Sequence, residues 1–194
     1  MARRQKKAIG RKKKPTTRKK AAGKKKSKPA KKISAKKKQE ALTHPLIGKA
    51  APNLKLNDAA GITVDLKKLV NSKTNCILYF YPKDDTPGCT QEACDFRDTI
   101  ESISAKDALV IGVSPDSVEK HKKFEKKYNL NFHLLSDPER KLIEQMKVWQ
   151  KKRFMGREYM GVVRSTFLFH NGKVSFVWQP VRVKNHVEDV LNKI

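Results

Sequence analysis

The sequence predicts an α/β domain, with a central mixed sheet flanked by helices, preceded by a disordered basic tail. Three observations predict this arrangement. Short β-branched and aromatic runs alternate with helical patterns across residues 44–194. That length suits one compact domain with a full core. In contrast, residues 1–40 hold 20 of the 45 Lys and Arg residues and one acidic residue, and so carry +19 of a formal net charge of +26.

The tail, residues 1–43, is predicted to be disordered. Its first 40 residues include no aromatic residue, and their apolar residues are mostly Ala, so they cannot bury enough surface to offset the entropy of ordering. The charge predicts non-specific binding to nucleic-acid phosphates, a nuclear-import signal, or only a solubilising tail. Composition does not separate these alternatives. The Lys clusters are Lys12, Lys13, Lys14, Lys24, Lys25, Lys26, Lys36, Lys37 and Lys38.

The sequence of the first half of the domain predicts a hairpin, a helical turn and a buried strand. Residues 53–57 and 62–64 have strand patterns and are separated by a turn at residues 58–61. Residues 65–70 predict a helical turn. Residues 76–81 are β-branched and aromatic, which is typical of a buried strand.

Cys89 lies between that strand and a predicted helix. Pro82, Pro87 and Gly88 interrupt regular structure before it, and apolar residues recur at helical spacing up to about residue 105. The first backbone N–H groups of a helix are unpaired and its dipole is positive there, so this position favours an exposed, nucleophilic thiolate. The sequence therefore predicts a chemical site at Cys89.

The second half continues the alternation of strands and helices. Pro138 suits the first turn of a helix, and Asn171-Gly172 favours a hairpin turn. Residues 149–161 are predicted to be irregular. The other predicted strands are 108–113, 132–135, 162–170 and 173–178, and the other helices are 118–128, 139–148 and 184–194.

The cysteine count favours a reducing, intracellular location. Cys76, Cys89 and Cys94 are odd in number, which argues against a secreted disulfide framework. Cys76 fits a small core residue in a strand. The Cys-x4-Cys spacing, with no second pair, predicts no metal site. No apolar run is long enough to span a membrane. Among the histidines, His44, His121 and His186 are expected at the surface.

The residues around Cys89 resemble a known family. The pattern Pro82-x-x-x-Thr86-x-x-Cys89 looks like the peroxiredoxin signature. Residues 85–98 and 163–168 are similar to the bacterioferritin-comigratory-protein, or peroxiredoxin Q, branch. The likeness runs from about Gly48 to the C-terminus, and the tail falls outside it. It implies a thioredoxin-like fold, no cofactor, and a monomer.

The resemblance also implies an activity. Members reduce hydrogen peroxide and organic hydroperoxides with thiols, and thioredoxin or a similar dithiol recycles them. By likeness, Cys89 is the peroxidatic cysteine and Cys94 the resolving one, joined in an intramolecular disulfide. Thr86, Arg164 and backbone N–H groups would bind the peroxide. The likeness further assigns Glu92 to orienting Arg164 and Pro82 to shielding the pocket.

Cys94 follows Cys89 by five residues in the same predicted helix. On an α-helix, five residues separate the Cα atoms by roughly 8–9 Å. A disulfide needs them within about 7 Å. If Cys94 attacks the sulfenic acid that peroxide would form at Cys89, the helix is expected to unwind in each catalytic cycle.

Two other functions stay open at this point. One is a dithiol–disulfide oxidoreductase without peroxidase activity, although such proteins prefer Cys-x-x-Cys. The other is a Lys-rich DNA-packaging protein whose domain only senses oxidation. The expected location is the cytoplasm, associated with the nucleoid, in a bacterium, and the nucleus in a eukaryote.

Overall fold

The computed structural model describes residues 44–194, apart from the side chain of Phe154. The predicted tail, residues 1–43, lies outside the described residues. The elements are β1 (Lys55–Asp58), β2 (Thr63–Asp65), α1 (Leu66–Val70), β3 (Asn75–Phe80), α2 (Pro87–Asp98), α3 (Ile100–Ser104), β4 (Ala108–Ser114), α4 (Val118–Tyr128), β5 (His133–Ser136), α5 (Lys141–Gln145), β6 (Trp149–Phe154), β7 (Arg157–Val162), β8 (Ser165–His170), β9 (Lys173–Trp178) and α6 (His186–Leu191).

Seven strands form one mixed sheet in the order β2-β1-β5-β4-β3-β8-β9. The inner strands β3, β4 and β5 run parallel to one another. The flanking pairs are antiparallel. Strand β3 is paired on both edges, with β4 and with β8, so it lies inside the sheet. This arrangement confirms the predicted α/β domain.

Helices cover both faces of the sheet, and β3 shows how. Successive side chains of a strand point to opposite faces. Leu78 and Phe80 pack in the core that includes residues of α1 and α5. Ile77 and Tyr79 pack in the core with α2, α3, α4 and α6. Because both faces are covered, β3 is apolar at nearly every position. No helix in the described residues has the length and apolar character to cross a membrane.

Three predicted helices have different bounds in the structure. The one predicted at residues 184–194 spans only His186–Leu191. The helix that carries Cys89 ends at Asp98, and the Thr99 hydroxyl donates to the carbonyl of Asp95 at 2.7 Å before α3 begins. The helix predicted at residues 139–148 begins only at Lys141, because Arg140 has a positive φ of 59°. Local backbone conformations thus shorten the latter two patterns.

The prediction that residues 149–161 are irregular is wrong. Strands β6 and β7 form a separate two-stranded antiparallel sheet, with Trp149 opposite Val162. Its turn at Met155 and Gly156 has positive φ at both residues. The predicted strand at residues 162–170 is correspondingly split, since β7 ends before Val163 and β8 begins after Arg164.

The prediction that His121 and His186 lie at the surface is also wrong. Both are buried, and His44 is half-buried. His186 Nε2 lies 2.8 Å from the hydroxyl of Thr166. Burial, with a contribution from the charge of Arg164, lowers the pKa of His186 to about 4. These rings can be buried because polar partners meet their nitrogen atoms.

Candidate active site

Cys89 lies in the first turn of α2, directly after the loop that leaves the central strand β3. Pro87 is the first residue of the helix, where the missing N–H of proline costs nothing. The backbone of Thr86 is extended, and its carbonyl accepts from the N–H of Thr90 at 2.8 Å. The side chain of Cys89 is only 1% exposed. The thiol is therefore buried, and not exposed as the sequence position suggested.

Arg164 contacts the sulfur of Cys89. Its Nη2 lies 3.1 Å from Sγ, and it reaches the site from the segment between β7 and β8. At Gly88, a Cβ would lie 3.4 Å from the same nitrogen, so a side chain there would crowd the guanidinium. Arg164 thus places a fixed positive charge and an N–H donor directly beside the sulfur.

Glu92 binds the other terminal nitrogen of the guanidinium. It lies one turn after Cys89, and its Oε2 accepts a hydrogen bond from Arg164 Nη1. Its side chain is fully buried, and Oε1 has no hydrogen-bond partner among the described residues. Burial raises the pKa of Glu92 to about 7, against the opposing effect of the Arg164 charge. The pair fixes the direction in which Arg164 points.

Thr86 and Pro82 lie on the loop before α2, and both are half-buried. The Thr86 hydroxyl donates to the carbonyl of Lys83 at 3.0 Å. Within the described part of the chain, no hydrogen bond joins this hydroxyl to Cys89. Its oxygen lone pairs are free to accept a hydrogen bond from a peroxide. The structure thus places both residues on the loop that leads into the helix of Cys89.

Cys94 lies on the same unbroken helix as Cys89, and its side chain is half-buried. All three cysteines are free thiols. Cys76 is fully buried in β3, and burial raises the pKa of its thiol. In residues 44–194, no cluster of three His, Cys, Asp or Glu side chains could hold a metal ion.

A buried hydrogen-bond network supports the loop before α2, and sequence reasoning missed it. The Tyr81 hydroxyl donates to Asp84 Oδ1 at 2.7 Å, and the Asp84 N–H donates to Asp116 Oδ2 at 2.7 Å. His121 of α4 places Nδ1 2.7 Å from Asp84 Oδ2 and Nε2 3.2 Å from the carbonyl of Leu135. The network ties the loop to α4.

A signal for His121 was present in the sequence. It lies three residues from both Val118 and Phe124, on the apolar face of its helix.

A second set of contacts joins the exposed face of the site to α4. Asp85 accepts from Tyr128 Oη at 2.5 Å, and Arg97 donates to the Tyr128 carbonyl at 2.6 Å. Helix α4 therefore holds both the loop and the end of α2.

We expect His121→Ala to lower the free energy of unfolding by about 2–4 kcal/mol, since it leaves a buried carboxylate without one of its partners. Urea unfolding measures the change. Lys123→Ala, at an exposed position of the same helix, is the control and should change stability by less than about 0.5 kcal/mol. An equally small change for His121→Ala would show that the network does not brace the loop.

The pKa of Glu92 predicts a pH-dependent stability. A carboxyl whose folded pKa is raised, here from 4.5 to about 7, binds more protons in the folded protein. Its contribution to stability is therefore fully present below the unfolded pKa and is lost as the pH rises through the folded pKa. We expect the unfolding free energy of the unchanged protein, relative to Glu92→Gln, to fall between pH 4.5 and 7. Urea unfolding across this range measures it.

Glu101→Gln, an exposed control, should show no such trend. A relative stability that rises with pH would contradict the assignment of the titration to Glu92.

Known proteins match most of the described part of the chain. The model of the AhpC/TSA family matches residues 47–177. Peroxiredoxin Bcp of Bacillus subtilis (strain 168) is 52% identical over 149 residues, which cover 76% of this chain and 94% of that protein. Peroxiredoxin Bcp of Escherichia coli (strain K12) is 40% identical over 146 residues, covering 75% of this chain and 92% of that protein.

Solved structures match the chain as well. A structure of the Xanthomonas campestris bacterioferritin comigratory protein, described for its alkyl peroxide reduction activity, matches with a TM-score of 0.69 and 34% identity. The match covers 76% of this chain and 93% of that one. The thioredoxin-like fold expected from the sequence is thereby confirmed.

Proposed function

Since this chain belongs to the AhpC/TSA family, as a peroxiredoxin of the Bcp type, we propose that Cys89 is its peroxidatic cysteine and Cys94 its resolving one. The chain is a peroxidase, an oxidoreductase. We propose hydrogen peroxide and organic hydroperoxides as substrates, in line with the alkyl peroxide reduction named for the Xanthomonas relative. The observation that carries the proposal is the 3.1 Å contact between Arg164 Nη2 and Cys89 Sγ.

The first step is an attack of the Cys89 thiolate on one oxygen of the peroxide. The S–O bond forms as the O–O bond breaks, and the electron pair leaves on the second oxygen, which takes a proton and departs as water or an alcohol. Cys89 becomes a sulfenic acid. Arg164 and the free N–H groups at the start of α2 stabilise the charge that develops on the departing oxygen. Thr86 accepts a hydrogen bond from the peroxide.

The second step joins Cys89 to Cys94. The Cys94 thiol attacks the sulfenic sulfur, a disulfide forms and water leaves. In the wound helix, the two Cα atoms are roughly 8–9 Å apart. Since a disulfide needs about 7 Å or less, α2 unwinds around Cys94. The contacts of α4 with Asp84 and with Arg97 lie on either side of this segment, so they confine the unwinding to it.

The unwinding can be tested by hydrogen exchange on the reduced and the peroxide-treated protein. We expect residues 88–98 to lose protection on oxidation, while β3 and β4 keep theirs. Mass spectrometry should find an intramolecular bridge between Cys89 and Cys94. Equal protection of residues 88–98 in both forms, or only intermolecular bridges, would assign resolution to an outside thiol. Cys94→Ser should still consume one equivalent of peroxide per chain.

A dithiol protein such as thioredoxin is the proposed reductant, because a disulfide carried towards solvent by unwinding is open to thiol exchange. NADPH consumption with peroxide, thioredoxin and thioredoxin reductase tests this directly. A dithiol oxidoreductase without peroxidase activity, or a packaging protein that only senses oxidation, would give no peroxide-dependent consumption.

We further propose that the Lys clusters of residues 1–40 bind nucleic-acid phosphates. The support is their charge of +19 and the lack of aromatic residues. Deleting residues 1–40 should remove duplex binding and spare peroxidase activity. The logarithm of the affinity falls as the logarithm of the salt concentration rises, and each neutralised phosphate makes this slope steeper by about 0.9. Binding by the full chain that is indifferent to salt would refute the proposal.

A further inference from the structure

The hairpin of β6 and β7, residues 149–162, forms a two-stranded ribbon. It carries three of the four large hydrophobic side chains that are exposed in the described residues. Met155 is 87% exposed, Tyr159 47% and Met160 50%. The fourth, Ile62, lies far along the chain between β1 and β2. Met155 lies at the turn, and Tyr159 and Met160 are consecutive in β7, so their side chains point to opposite faces of the ribbon. Exposed apolar side chains on both faces of one projecting element mark it as an interaction surface.

The ribbon is also positively charged, but half of its cations are engaged. Lys151 Nζ forms an ion pair with Glu158 at 2.5 Å. Lys152 Nζ donates to the carbonyl of Val162 at 3.1 Å. Within the described part of the chain, Arg153 and Arg157 have no ion-pair partner. The surface is therefore apolar, with a small excess of free positive charge next to the turn of the ribbon.

The ribbon begins at the edge of the active site. Strand β7 ends at Val162, two residues before Arg164, whose guanidinium contacts Cys89. The N–H of Val163 donates to the carbonyl of Val148 at 2.8 Å, which ties the two ends of the ribbon together. From this base, six-residue strands extend for about 20 Å. A protein docked on the ribbon therefore lies next to the segment that carries Arg164.

We propose that the ribbon is a docking surface for the protein that reduces the Cys89–Cys94 disulfide, a dithiol protein with an acidic surface patch that meets the turn of the ribbon, away from its thiols. This inference rests on the function proposed above. A thiolate of the reductant attacks one enzyme sulfur, and the other enzyme cysteine leaves as a thiolate and takes a proton. The second reductant thiol then breaks the mixed disulfide. Two electrons pass to the enzyme, which regains two thiols, and the reductant becomes a disulfide.

The composition of the ribbon favours a protein over a nucleic acid as the partner. Tyr, Met and Arg are enriched in protein interfaces, whereas Lys is depleted. Binding to phosphates depends instead on many free cations, whereas the ribbon has four, of which Lys151 is ion-paired and Lys152 donates to a backbone carbonyl. Because Arg153 and Arg157 are positive, the complementary partner surface is acidic.

The experiment uses the full chain with thioredoxin as the protein reductant and dithiothreitol as the small one. Two double variants change the ribbon, Arg153→Glu with Arg157→Glu and Met155→Ser with Tyr159→Ser. Lys122→Glu with Lys123→Glu, on the exposed face of α4, makes the same charge change elsewhere. We expect the KM for thioredoxin to rise about tenfold in both ribbon variants, a loss of about 1.4 kcal/mol in binding. The rates with dithiothreitol and the rate constant for peroxide should not change.

An unchanged KM for thioredoxin in the ribbon variants would overturn the proposal. So would an equal rise in the α4 variant, because the effect would then be general electrostatic attraction. Weaker duplex DNA binding with an unchanged thioredoxin KM would assign the ribbon to nucleic acid and would also overturn it. Failure of the proposed function would show separately, as absence of dithiothreitol-driven turnover in the unchanged protein.

Discussion

Replacing Cys89 with Ser is expected to abolish peroxide turnover, with a loss of at least about 10³-fold, because a serine hydroxyl stays protonated where a thiol supplies a nucleophilic thiolate. The side chain is nearly the same size and is almost fully buried, so the fold and the position of Arg164 should be preserved. Peroxide consumption with dithiothreitol as the reductant measures the loss.

Two other cysteine variants serve as controls for Cys89→Ser. Cys76→Ala removes a thiol that lies in β3, on the opposite face of the sheet, and should keep most of the turnover. Cys94→Ser should keep the first reaction with peroxide. If Cys89→Ser retained most of the activity, the assignment of Cys89 as the nucleophile would be wrong.

Replacing Arg164 with Ala should lower the second-order rate constant for peroxide by about 10²–10³-fold, the usual loss when one donor to a developing oxyanion is removed. We propose two effects for the arginine in this site. Its positive charge lies 3.1 Å from Sγ, and its N–H groups would donate to the departing oxygen. Stopped-flow consumption of peroxide by the reduced protein measures the rate constant.

Arg164→Lys separates the two effects. It keeps a positive charge but loses the planar pair of donors, one of which Glu92 holds. We expect a rate constant between those of Arg164→Ala and the unchanged protein. An unchanged rate and pH profile in Arg164→Ala would remove Arg164 from the mechanism.

Elements with a strong local pattern were predictable from the sequence. The run of β-branched and aromatic residues at 76–81 corresponds to β3 (Asn75–Phe80), since burial on both faces demands such a run. The ribbon was missed because its strands have no apolar alternation. Residues 151–161 include four basic side chains and two glycines, and these strands are stabilised by pairing with each other across the turn.

The residues of the site were also predictable only in part. Cys89 was predictable because proline, glycine and a helix start surround it in the sequence. Arg164 lies 75 residues away, and only a family resemblance pointed to it. The pairing of Asp84 with His121 spans 37 residues. Periodicity could have shown that His121 faces the core, but it carries no information about which carboxylate meets it there.

The unbroken winding of α2 has a kinetic consequence for the proposed cycle. While the helix stays wound, the sulfenic acid at Cys89 has no thiol within bonding distance, and a second peroxide molecule can oxidise it to a sulfinic acid, which thiols do not reverse. Ala93 and Phe96 anchor α2 in the core, so the frequency of opening depends on their packing. At low peroxide we expect disulfide formation to be faster than the second oxidation. At high peroxide we expect the enzyme to be inactivated, at a concentration that depends on how firmly Phe96 is packed.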